Sequence, residues 1–321
     1  MATKYVPHGT IPANLMPFRE DYEINEPELR RHLRWLAAVP GVTAITQNGH
    51  AAETASMTRE EKRRALAVAL EEIGDRLPVI AGVFCDGSFE AAQLAQDAQA
   101  EGASAILVPP PSFFNWGSQL RPEMAYTHFA TIAAAVEIPI VVFQYPVAQG
   151  YGYSPETLVM LAERIDTVVA VKDWSQDIVA YERNVRALRS LPRKVAMLTT
   201  YSAALLATLT VGADGLLSGM GSVVADLQAD LFAAVQRGDL TAARAINDRL
   251  YPLAQAFYAP PFLDMHNRMK VALVQLGRLE RAVVRPPLVT PPAADQDRIR
   301  QALGAAGLLE TGVAVGATPT R

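Results

Sequence analysis

Lys172 has the clearest chemical signature in this sequence, because it ends the apolar run Val168-Val169-Ala170-Val171. Such a run, rich in β-branched residues, is typical of a buried parallel strand. Burying an ammonium group is costly, so a lysine at the end of that strand needs a partner or a function. A half-buried lysine loses its proton more easily, and its neutral amine is a nucleophile toward carbonyl groups. The position indicates either an imine-forming lysine or a structural lysine paired with a carboxylate.

Tyr145 is the second candidate for chemistry, since it directly follows the predicted strand that precedes the strand of Lys172. Consecutive parallel strands end side by side, so we expect the phenol to lie near the lysine amine. A phenol there can shuttle protons at a carbinolamine and at the substrate, while the imine accepts electrons as a carbon–carbon bond breaks or forms. The alternative is a core tyrosine whose hydroxyl is satisfied.

Further candidates follow other predicted strands, and in a β/α barrel the residues after the strand ends surround the active site. We interpret the residues after the second and eighth strands as substrate-binding, namely Gly49, His50, Ala51, Ser218 and Gly219. Those after the fourth and sixth strands are interpreted as lining the mouth, namely Ser112, Phe113, Phe114 and Trp174. His50 either donates hydrogen bonds or carries protons, or it only caps its loop.

The elements that would position these residues are short apolar runs that alternate with helical patterns. Eight strands are predicted, at residues 11–16, 42–46, 79–83, 105–108, 140–143, 168–172, 195–198 and 215–218. Helix starts are predicted at Thr58, which has Glu61 three residues later, at Ser88 and at Ser154. No glycine-rich dinucleotide motif follows a strand, so the pattern favours an α/β fold of the (β/α)8 TIM barrel type over a doubly wound sheet.

The pattern changes after the eighth strand. Residues 226–236, 240–258 and 265–276 are predicted to be consecutive helices without strands between them. We therefore expect a barrel over residues 1–235, a C-terminal helical bundle over 236–310 and a mobile tail over 311–321.

Composition narrows the class of protein. The chain has 321 residues, half of them hydrophobic, and a net charge of −4. It has no basic patch for nucleic acid and no apolar run long enough for a bilayer, so neither partner is expected. Its one cysteine, Cys85, and an N-terminus without a signal-peptide pattern favour a cytoplasmic location. The five histidines are scattered rather than spaced as metal ligands, and we predict neither a metal nor a cofactor.

Several motifs, taken in order and spacing, resemble the dihydrodipicolinate synthase / N-acetylneuraminate lyase superfamily of class I aldolases. They are residues 9–11, 16–18, 48–58 with Glu60 and Glu61, Tyr145-Pro146, Val171-Lys172-Asp173, 211–215 and 285–288. The resemblance covers most of the chain. It implies a Schiff-base lysine at Lys172 and a catalytic tyrosine at Tyr145. It also implies a 2-oxo acid substrate, usually pyruvate or a pyruvate-derived sugar acid, sometimes with an aldehyde, and commonly a homotetramer, or a dimer.

The sequence departs from the superfamily pattern at positions that select the substrate. After the second strand the pattern has two hydroxyl residues, whereas this chain has His50 and Ala51. The pattern has a second tyrosine after the fourth strand, where this chain has Pro111-Ser112. The pattern also has an arginine that would bind a carboxylated aldehyde, and the corresponding position in this chain falls near Gln149-Gly150. We therefore expect a divergent member of the superfamily rather than dihydrodipicolinate synthase itself.

Aromatic residues lie close in sequence to the positions that depart from the superfamily pattern, and several functions stay open as a result. Phe113, Phe114, Trp116, Tyr151, Tyr153 and Trp174 would suit a larger, less polar acceptor, unless they form a subunit interface. The predicted function is a class I lyase for aldol cleavage or condensation. The alternatives are a dehydratase of a deoxy sugar acid, a hydratase-aldolase of an aromatic pyruvate derivative, and a catalytically silent barrel that binds a 2-oxo acid.

Overall fold

Parallel strands alternate with helices through residues 5–309, the part of the chain that the computed structural model describes. The strands are β1 Gly9–Pro12, β2 Ile45–Gln47, β3 Val79–Gly82, β4 Ala105–Val108, β5 Ile140–Gln144, β6 Val168–Asp173, β7 Ala196–Thr199 and β8 Gly215–Ser218. They pair in the order β1-β8-β7-β6-β5-β4-β3-β2, and bridges from Thr10 to Val42 and from Ala13 to Thr46 connect β1 back to β2. This closed arrangement confirms the (β/α)8 TIM barrel.

Eleven α-helices accompany the strands in residues 5–309. They are α1 Glu26–Ala38, α2 Arg59–Ile73, α3 Ser88–Glu101, α4 Pro122–Ala133, α5 Pro155–Arg164, α6 Ile178–Arg189, α7 Leu205–Val211, α8 Gly221–Gln236, α9 Leu240–Phe257, α10 Met265–Gln275 and α11 Ala293–Ala305. None of them is long and apolar enough to cross a membrane.

The strands form because their residues are apolar on both faces, as parallel strands covered by helices require. Every residue of β6 is buried, including Lys172. Lys172 is in register with Phe143 on β5 and with Leu198 on β7. These pairings hold the lysine at the C-terminal end of the barrel, where loops rather than strands lie above it.

Helix starts were predicted correctly where a hydroxyl side chain reaches the backbone. Thr58 forms a complete capping box with Glu61, and the Ser154 hydroxyl accepts the backbone N–H of Thr157. The prediction was wrong at Ser88, which is the first residue of α3 and not its cap. Its hydroxyl is instead hydrogen-bonded to Nδ1 of His128, 3.0 Å away.

The first strand begins and ends earlier than predicted. The apolar run to Met16 suggested a strand over residues 11–16, but the ladder with β8 ends at Pro12. Leu15 and Met16 are buried outside the sheet, and the Leu15 backbone N–H donates to the Ser222 hydroxyl at 3.0 Å. A buried apolar run is therefore not enough to define a strand, because loop residues beneath packed helices are buried as well.

The helices after the barrel fold back over its C-terminal end. Helix α8 contains a non-helical residue, Val224, so the predicted helix at 226–236 is the part of α8 beyond this kink. Helix α10 is tied to α11 by the buried Arg268, whose Nε donates to Oδ2 of Asp295 at 2.8 Å. Lys270, also on α10, pairs with the buried carboxylate of Glu53 near the mouth. The predicted division at residue 235 stays a prediction, and the predicted tail at 311–321 lies outside the described residues.

Candidate active site

A cavity at the C-terminal end of the barrel contains Lys172. Its walls come from loops after several strands and from the C-terminal helices. The lining residues are Ala13, His50, Ala51, Phe143, Lys172, Trp174, Thr200, Gly219, Tyr258, Met265 and His266. Four of the residues predicted for the site besides Lys172 therefore lie around it, namely His50, Ala51, Trp174 and Gly219.

The Lys172 amine is in an environment that favours its neutral form. The side chain is only 4% exposed, and burial lowers its pKa from 10.5 to about 7. Its Nζ lies 3.8 Å from the centroid of the Phe143 ring. Among the ion pairs of residues 5–309, none involves Lys172, so the structure offers no support for a structural lysine paired with a carboxylate. A large fraction of this amine is unprotonated near neutral pH.

The β5 residue that faces Lys172 is Phe143, not Tyr145. Tyr145 lies two residues further along the chain, on the same face, and its ring centroid is 4.5 Å from that of Phe143. It also packs edge-on against Trp174, with the centroids 5.6 Å apart. Tyr145 does not belong to the cavity lining. Burial raises the pKa of its phenol above the usual value, so the hydroxyl keeps its proton at neutral pH.

The loop after β2 is held in place by buried polar contacts. Asn48 and Glu53 both adopt positive φ angles, 55° and 52°, and between them residues 50–52 form a short 3₁₀ turn. The Glu53 carboxylate accepts the backbone N–H of Arg285 at 3.0 Å and pairs with Lys270. Glu53 therefore fixes the loop to the segment that contains Arg285 and to Lys270 on α10. Gly49 precedes the turn and lies outside the cavity lining, whereas His50 and Ala51 line it.

Two histidines meet in the cavity beside Lys172. The His50 and His266 rings pack edge-on, with centroids 5.1 Å apart and planes at 78°. Burial and the charge of Lys172 lower the pKa of His50 to about 4. Burial, His50, Lys172 and Lys270 lower the pKa of His266 well below its usual value. Both imidazoles are therefore neutral near pH 7 in the absence of a ligand.

Nothing in the sequence marked His266 as a site residue. It lies on α10, outside the strand-end loops that the barrel pattern directs attention to. Only the packing of α10 over the barrel brings it to the cavity. Phe143, Thr200 and Tyr258 were also missed. The sequence prediction chose Tyr145, two residues after Phe143. Because side chains alternate along an extended chain, residues two positions apart share a face, so Phe143 was an equally good candidate.

Ser218 belongs to a chain of hydroxyl groups that lies behind Tyr258, a residue of the cavity lining. The Tyr258 phenol donates to the Ser202 hydroxyl at 3.0 Å, and Ser202 is 2.9 Å from the Ser218 hydroxyl. Nε2 of Gln228 donates to Ser218 at 3.2 Å. Burial raises the pKa of Tyr258 to about 12, against the opposing effect of its hydrogen bonds. Ser218 acts behind Tyr258 rather than in the cavity lining.

The structure contains no evident place for a metal ion within residues 5–309. No three His, Cys, Asp or Glu side chains in this range lie together as a metal site requires. The functional groups in the cavity lining are one amine, two imidazoles, one phenol and the hydroxyl of Thr200.

Comparison with known proteins assigns the family. The model of the Dihydrodipicolinate synthetase family matches residues 6–306. The chain belongs to this family. A 4-hydroxy-tetrahydrodipicolinate synthase from Methanopyrus kandleri is 31% identical over 305 residues, which covers 95% of this chain and 98% of the relative. The resemblance inferred from the sequence motifs is thereby confirmed, and at this identity the chain is a divergent member.

Solved structures show the same fold. A dihydrodipicolinate synthase from Thermotoga maritima superposes with a TM-score of 0.87 at 24% identity, covering 95% of this chain and all of that one. A dihydrodipicolinate synthase from Acinetobacter baumannii, solved with pyruvate, has a TM-score of 0.84 at 25% identity. The match covers 94% of this chain and 99% of the Acinetobacter baumannii chain.

In this family member, only some of the residues that were predicted to line the mouth lie at the cavity. The Ser112 backbone N–H and hydroxyl both donate to the Asp86 carboxylate at 2.6 Å, which anchors the loop after β4 away from the cavity. Phe114 is buried and packs edge-on against Phe113, and neither lines the cavity. Of the predicted mouth residues, Trp174 alone lies in the lining.

A second cavity opens next to the first in this dihydrodipicolinate synthetase family member. Its volume is about 310 Å³, and it shares Trp174 and Tyr258 with the first cavity. Tyr201 and Phe262 also line it, and the Phe262 ring packs edge-on against Trp174 with centroids 6.3 Å apart.

Proposed function

We propose that this protein is a class I lyase that binds a 2-oxo acid as a Schiff base on Lys172. The observation that carries the proposal is the buried amine of Lys172, which lines a cavity and has a pKa lowered to about 7. Burial supplies neutral amine, and a neutral amine adds to a carbonyl carbon. Family membership supports the same chemistry.

The reaction follows from the properties of the imine. The amine adds to C2 of the 2-oxo acid, and one nitrogen proton reaches the carbonyl oxygen to give the carbinolamine. The hydroxyl group then takes up a second proton and leaves as water, and a protonated imine remains. When the C3–C4 bond breaks, its electrons move into the C2–C3 bond, the imine becomes an enamine, and the C4 hydroxyl loses its proton as the aldehyde departs. Condensation is the reverse.

We propose pyruvate, or an acid derived from it, as the 2-oxo acid. The Acinetobacter baumannii relative was solved with pyruvate, which supports this choice. The carboxylate would bind beside His50, Ala51 and Gly219, the cavity residues that follow β2 and β8. Gly49 and Ser218 would act from behind them, by shaping the turn and by holding the hydroxyl chain.

Trapping with borohydride tests the proposal directly. The protein is incubated with pyruvate and reduced, and its intact mass is then measured. A mass increase that corresponds to a reduced pyruvate adduct, mapped to Lys172 by peptide mass spectrometry, is expected. Absence of the adduct over a range of 2-oxo acids would rule out the lyase. An adduct without turnover of any partner molecule would favour the catalytically silent barrel.

The aromatic lining of the second cavity favours one of the alternative reactions. A hydratase-aldolase acting on an aromatic pyruvate derivative would place its ring near Trp174, Tyr201 and Phe262. The Ser112 region and the residues Gln149-Gly150 offer no basic group for a carboxylated aldehyde, which argues against dihydrodipicolinate synthesis. Turnover of pyruvate with a panel of aromatic and hydroxylated aldehydes tests this choice. Activity with hydroxylated aldehydes alone would contradict the aromatic assignment.

The role proposed for Tyr145 as proton shuttle is tested by Tyr145→Phe. If the phenol carries protons, turnover falls about 100- to 10,000-fold, the usual contribution of general acid–base catalysis, while the borohydride adduct still forms slowly. If Tyr145 only packs against Phe143 and Trp174, turnover changes by less than about tenfold. Steady-state kinetics together with adduct mass decides between the two outcomes.

We also propose that the chain forms a homotetramer, or a dimer. Two large apolar side chains in consecutive turns after β4, Trp116 and Leu120, are 87% and 86% exposed in the single chain. Exposed apolar patches commonly mark protein–protein contacts. Light scattering is expected to give a mass of four chains of 34.7 kDa each, or of two. A monomer at micromolar concentration would contradict the proposal.

A further inference from the structure

The proposed imine chemistry needs a proton carrier at the cavity. A proton must reach the carbinolamine oxygen, and another must leave C3 when the imine becomes an enamine. The titratable residues of the lining, apart from Lys172, are His50, His266 and Tyr258. Tyr145, the shuttle proposed above, lies outside the lining, so a titratable group that reaches C3 of the bound substrate directly must be one of these three.

Two residues of the lining, Phe143 and Ala51, have side chains that cannot carry a proton. Phe143 faces the Lys172 amine at 3.8 Å from the ring centroid, and a phenyl ring has no exchangeable proton. Ala51 lines the cavity with a methyl group. A proton carrier must come from another part of the fold.

Tyr258 is already engaged as a hydrogen-bond donor. Its phenol proton is directed to the Ser202 hydroxyl at 3.0 Å, and Ser202 is linked to Ser218 and through it to Gln228. Because its pKa is raised to about 12, the phenolate form that could accept a proton is scarce at neutral pH. Tyr258 is therefore suited to holding the wall of the cavity.

His266 is free to exchange protons. No hydrogen bond within the described residues engages its ring, which packs edge-on against His50 with the centroids 5.1 Å apart. A Cβ at Gly219 would lie 3.2 Å from Nε2 of His266, so the glycine leaves room for that nitrogen at the cavity wall. Burial, with smaller contributions from His50, Lys172 and Lys270, lowers the pKa of His266 and keeps the ring neutral, and a neutral imidazole has one nitrogen that accepts a proton.

We propose that His266, with His50 packed against its ring, carries protons to and from the substrate bound on Lys172. This inference rests on the proposed Schiff-base function. His266 takes the proton from C3 of the protonated imine, the C3–H electrons form the C2–C3 double bond of the enamine, and the imidazole becomes imidazolium. It returns the proton to C3 in the reverse step. The carboxylate of a bound 2-oxo acid stabilises the imidazolium, so the ligand itself raises the proton affinity of a histidine that is neutral without it.

Deuterium exchange at the pyruvate methyl group isolates this step from the choice of acceptor. Wild-type protein is incubated with pyruvate in D₂O, and the methyl signal is followed by proton NMR. We expect His266→Asn to keep the borohydride adduct and to lose exchange by about 100- to 10,000-fold, the usual size of general-base catalysis. Retention of the adduct shows that the variant is folded and that Lys172 is intact. The exposed His8→Asn variant serves as the control and should exchange at the wild-type rate.

Rescue by added imidazole distinguishes proton transfer from a structural role. In His266→Ala the ring is replaced by space next to Gly219, and free imidazole should restore part of the exchange in proportion to its concentration. Exchange at the wild-type rate in His266→Asn would overturn the inference, as would a loss confined to Tyr258→Phe. Absence of any adduct in the wild-type protein would instead refute the Schiff-base function.

Discussion

Replacement of Lys172 by methionine is expected to abolish both the borohydride adduct and turnover. Methionine has nearly the same length and is easily accommodated in a buried site, so the barrel should remain intact. It removes the only nucleophile that the proposed mechanism uses. Removing the nucleophile from a covalent mechanism lowers turnover on the order of a million-fold, which places the variant below detection.

The pH dependence of adduct formation should reflect the lowered pKa of Lys172. Only the neutral amine attacks, so the initial rate of trapping rises as the pH passes through about 7, whereas an ordinary lysine would require a pH near 10.5. Rates of adduct formation with cyanoborohydride between pH 5.5 and about 9 measure this midpoint. A midpoint near that of a free lysine would show that the amine is not buried in the active protein.

A second lysine provides the control for the Lys172 variant. Lys194 is 72% exposed and pairs with Asp214 at 2.9 Å on the surface. Lys194→Met should form the adduct and turn over at the wild-type rate. If Lys172→Met still formed an adduct, another amine would be the nucleophile and the assignment of Lys172 would be wrong.

The barrel and the place of Lys172 could be predicted because both depend on local sequence. Buried parallel strands are short apolar runs, and a charged residue at the end of one is conspicuous wherever it occurs. Ser88 shows the limit of such local signals. A serine before an apolar pattern can cap a helix, but here the hydroxyl bonds to His128, which belongs to a different helix. A competing tertiary partner cannot be read from neighbouring residues.

The position of Tyr145 relative to Lys172 could not be predicted from sequence alone, for a geometric reason. Phe143 lies in β5 and Tyr145 just beyond its end, two residues later, so the alternation of side chains does not distinguish them. The two residues are distinguished by the register of β5 against β6, which pairs Phe143 with Lys172. Register depends on the whole barrel, and it brings Phe143 rather than Tyr145 opposite the lysine.

His266 was beyond prediction because its position depends on contacts between distant segments. Helix α10 reaches the barrel through Lys270, which pairs with Glu53 on the loop after β2. The same loop presents His50, so one ion pair fixes the two elements that carry the two histidines. Neither the sequence of α10 nor that of the loop after β2 indicates that the two segments are in contact.

Breaking this ion pair should cause the largest loss of stability among the substitutions considered. Lys270 is fully buried, and its Nζ also donates to the carbonyl oxygen of Val283 at 2.7 Å. Burial lowers the pKa of Lys270 and the charge of Glu53 opposes that shift, so the carboxylate is what sustains the ammonium. Glu53→Gln leaves a buried charge without its partner, and such a loss costs about 3–5 kcal/mol in free energy of unfolding. Urea denaturation measures it.

A surface pair provides the matched control for Glu53→Gln. Glu182 and Arg186 are one helical turn apart on α6 and largely exposed, and Glu182→Gln should change the unfolding free energy by at most about 0.5 kcal/mol. The double variant Glu53→Gln with Lys270→Met should recover part of the loss, because no uncompensated charge remains. Equal losses in Glu53→Gln and Glu182→Gln would show that the buried pair contributes no more than a surface one.

The same substitution connects stability to catalysis. His266 lies one helical turn before Lys270, on the same helix, so releasing Lys270 from Glu53 loosens the element that holds His266 against His50. In Glu53→Gln, measured where the protein is still folded, deuterium exchange at pyruvate C3 should fall more than adduct formation does. Lys172 is held by β6 and its neighbours, independently of α10. If deuterium exchange and adduct formation declined equally, the substitution would act on the barrel as a whole. A larger decline of exchange assigns imine formation to the barrel and proton transfer to the C-terminal helices.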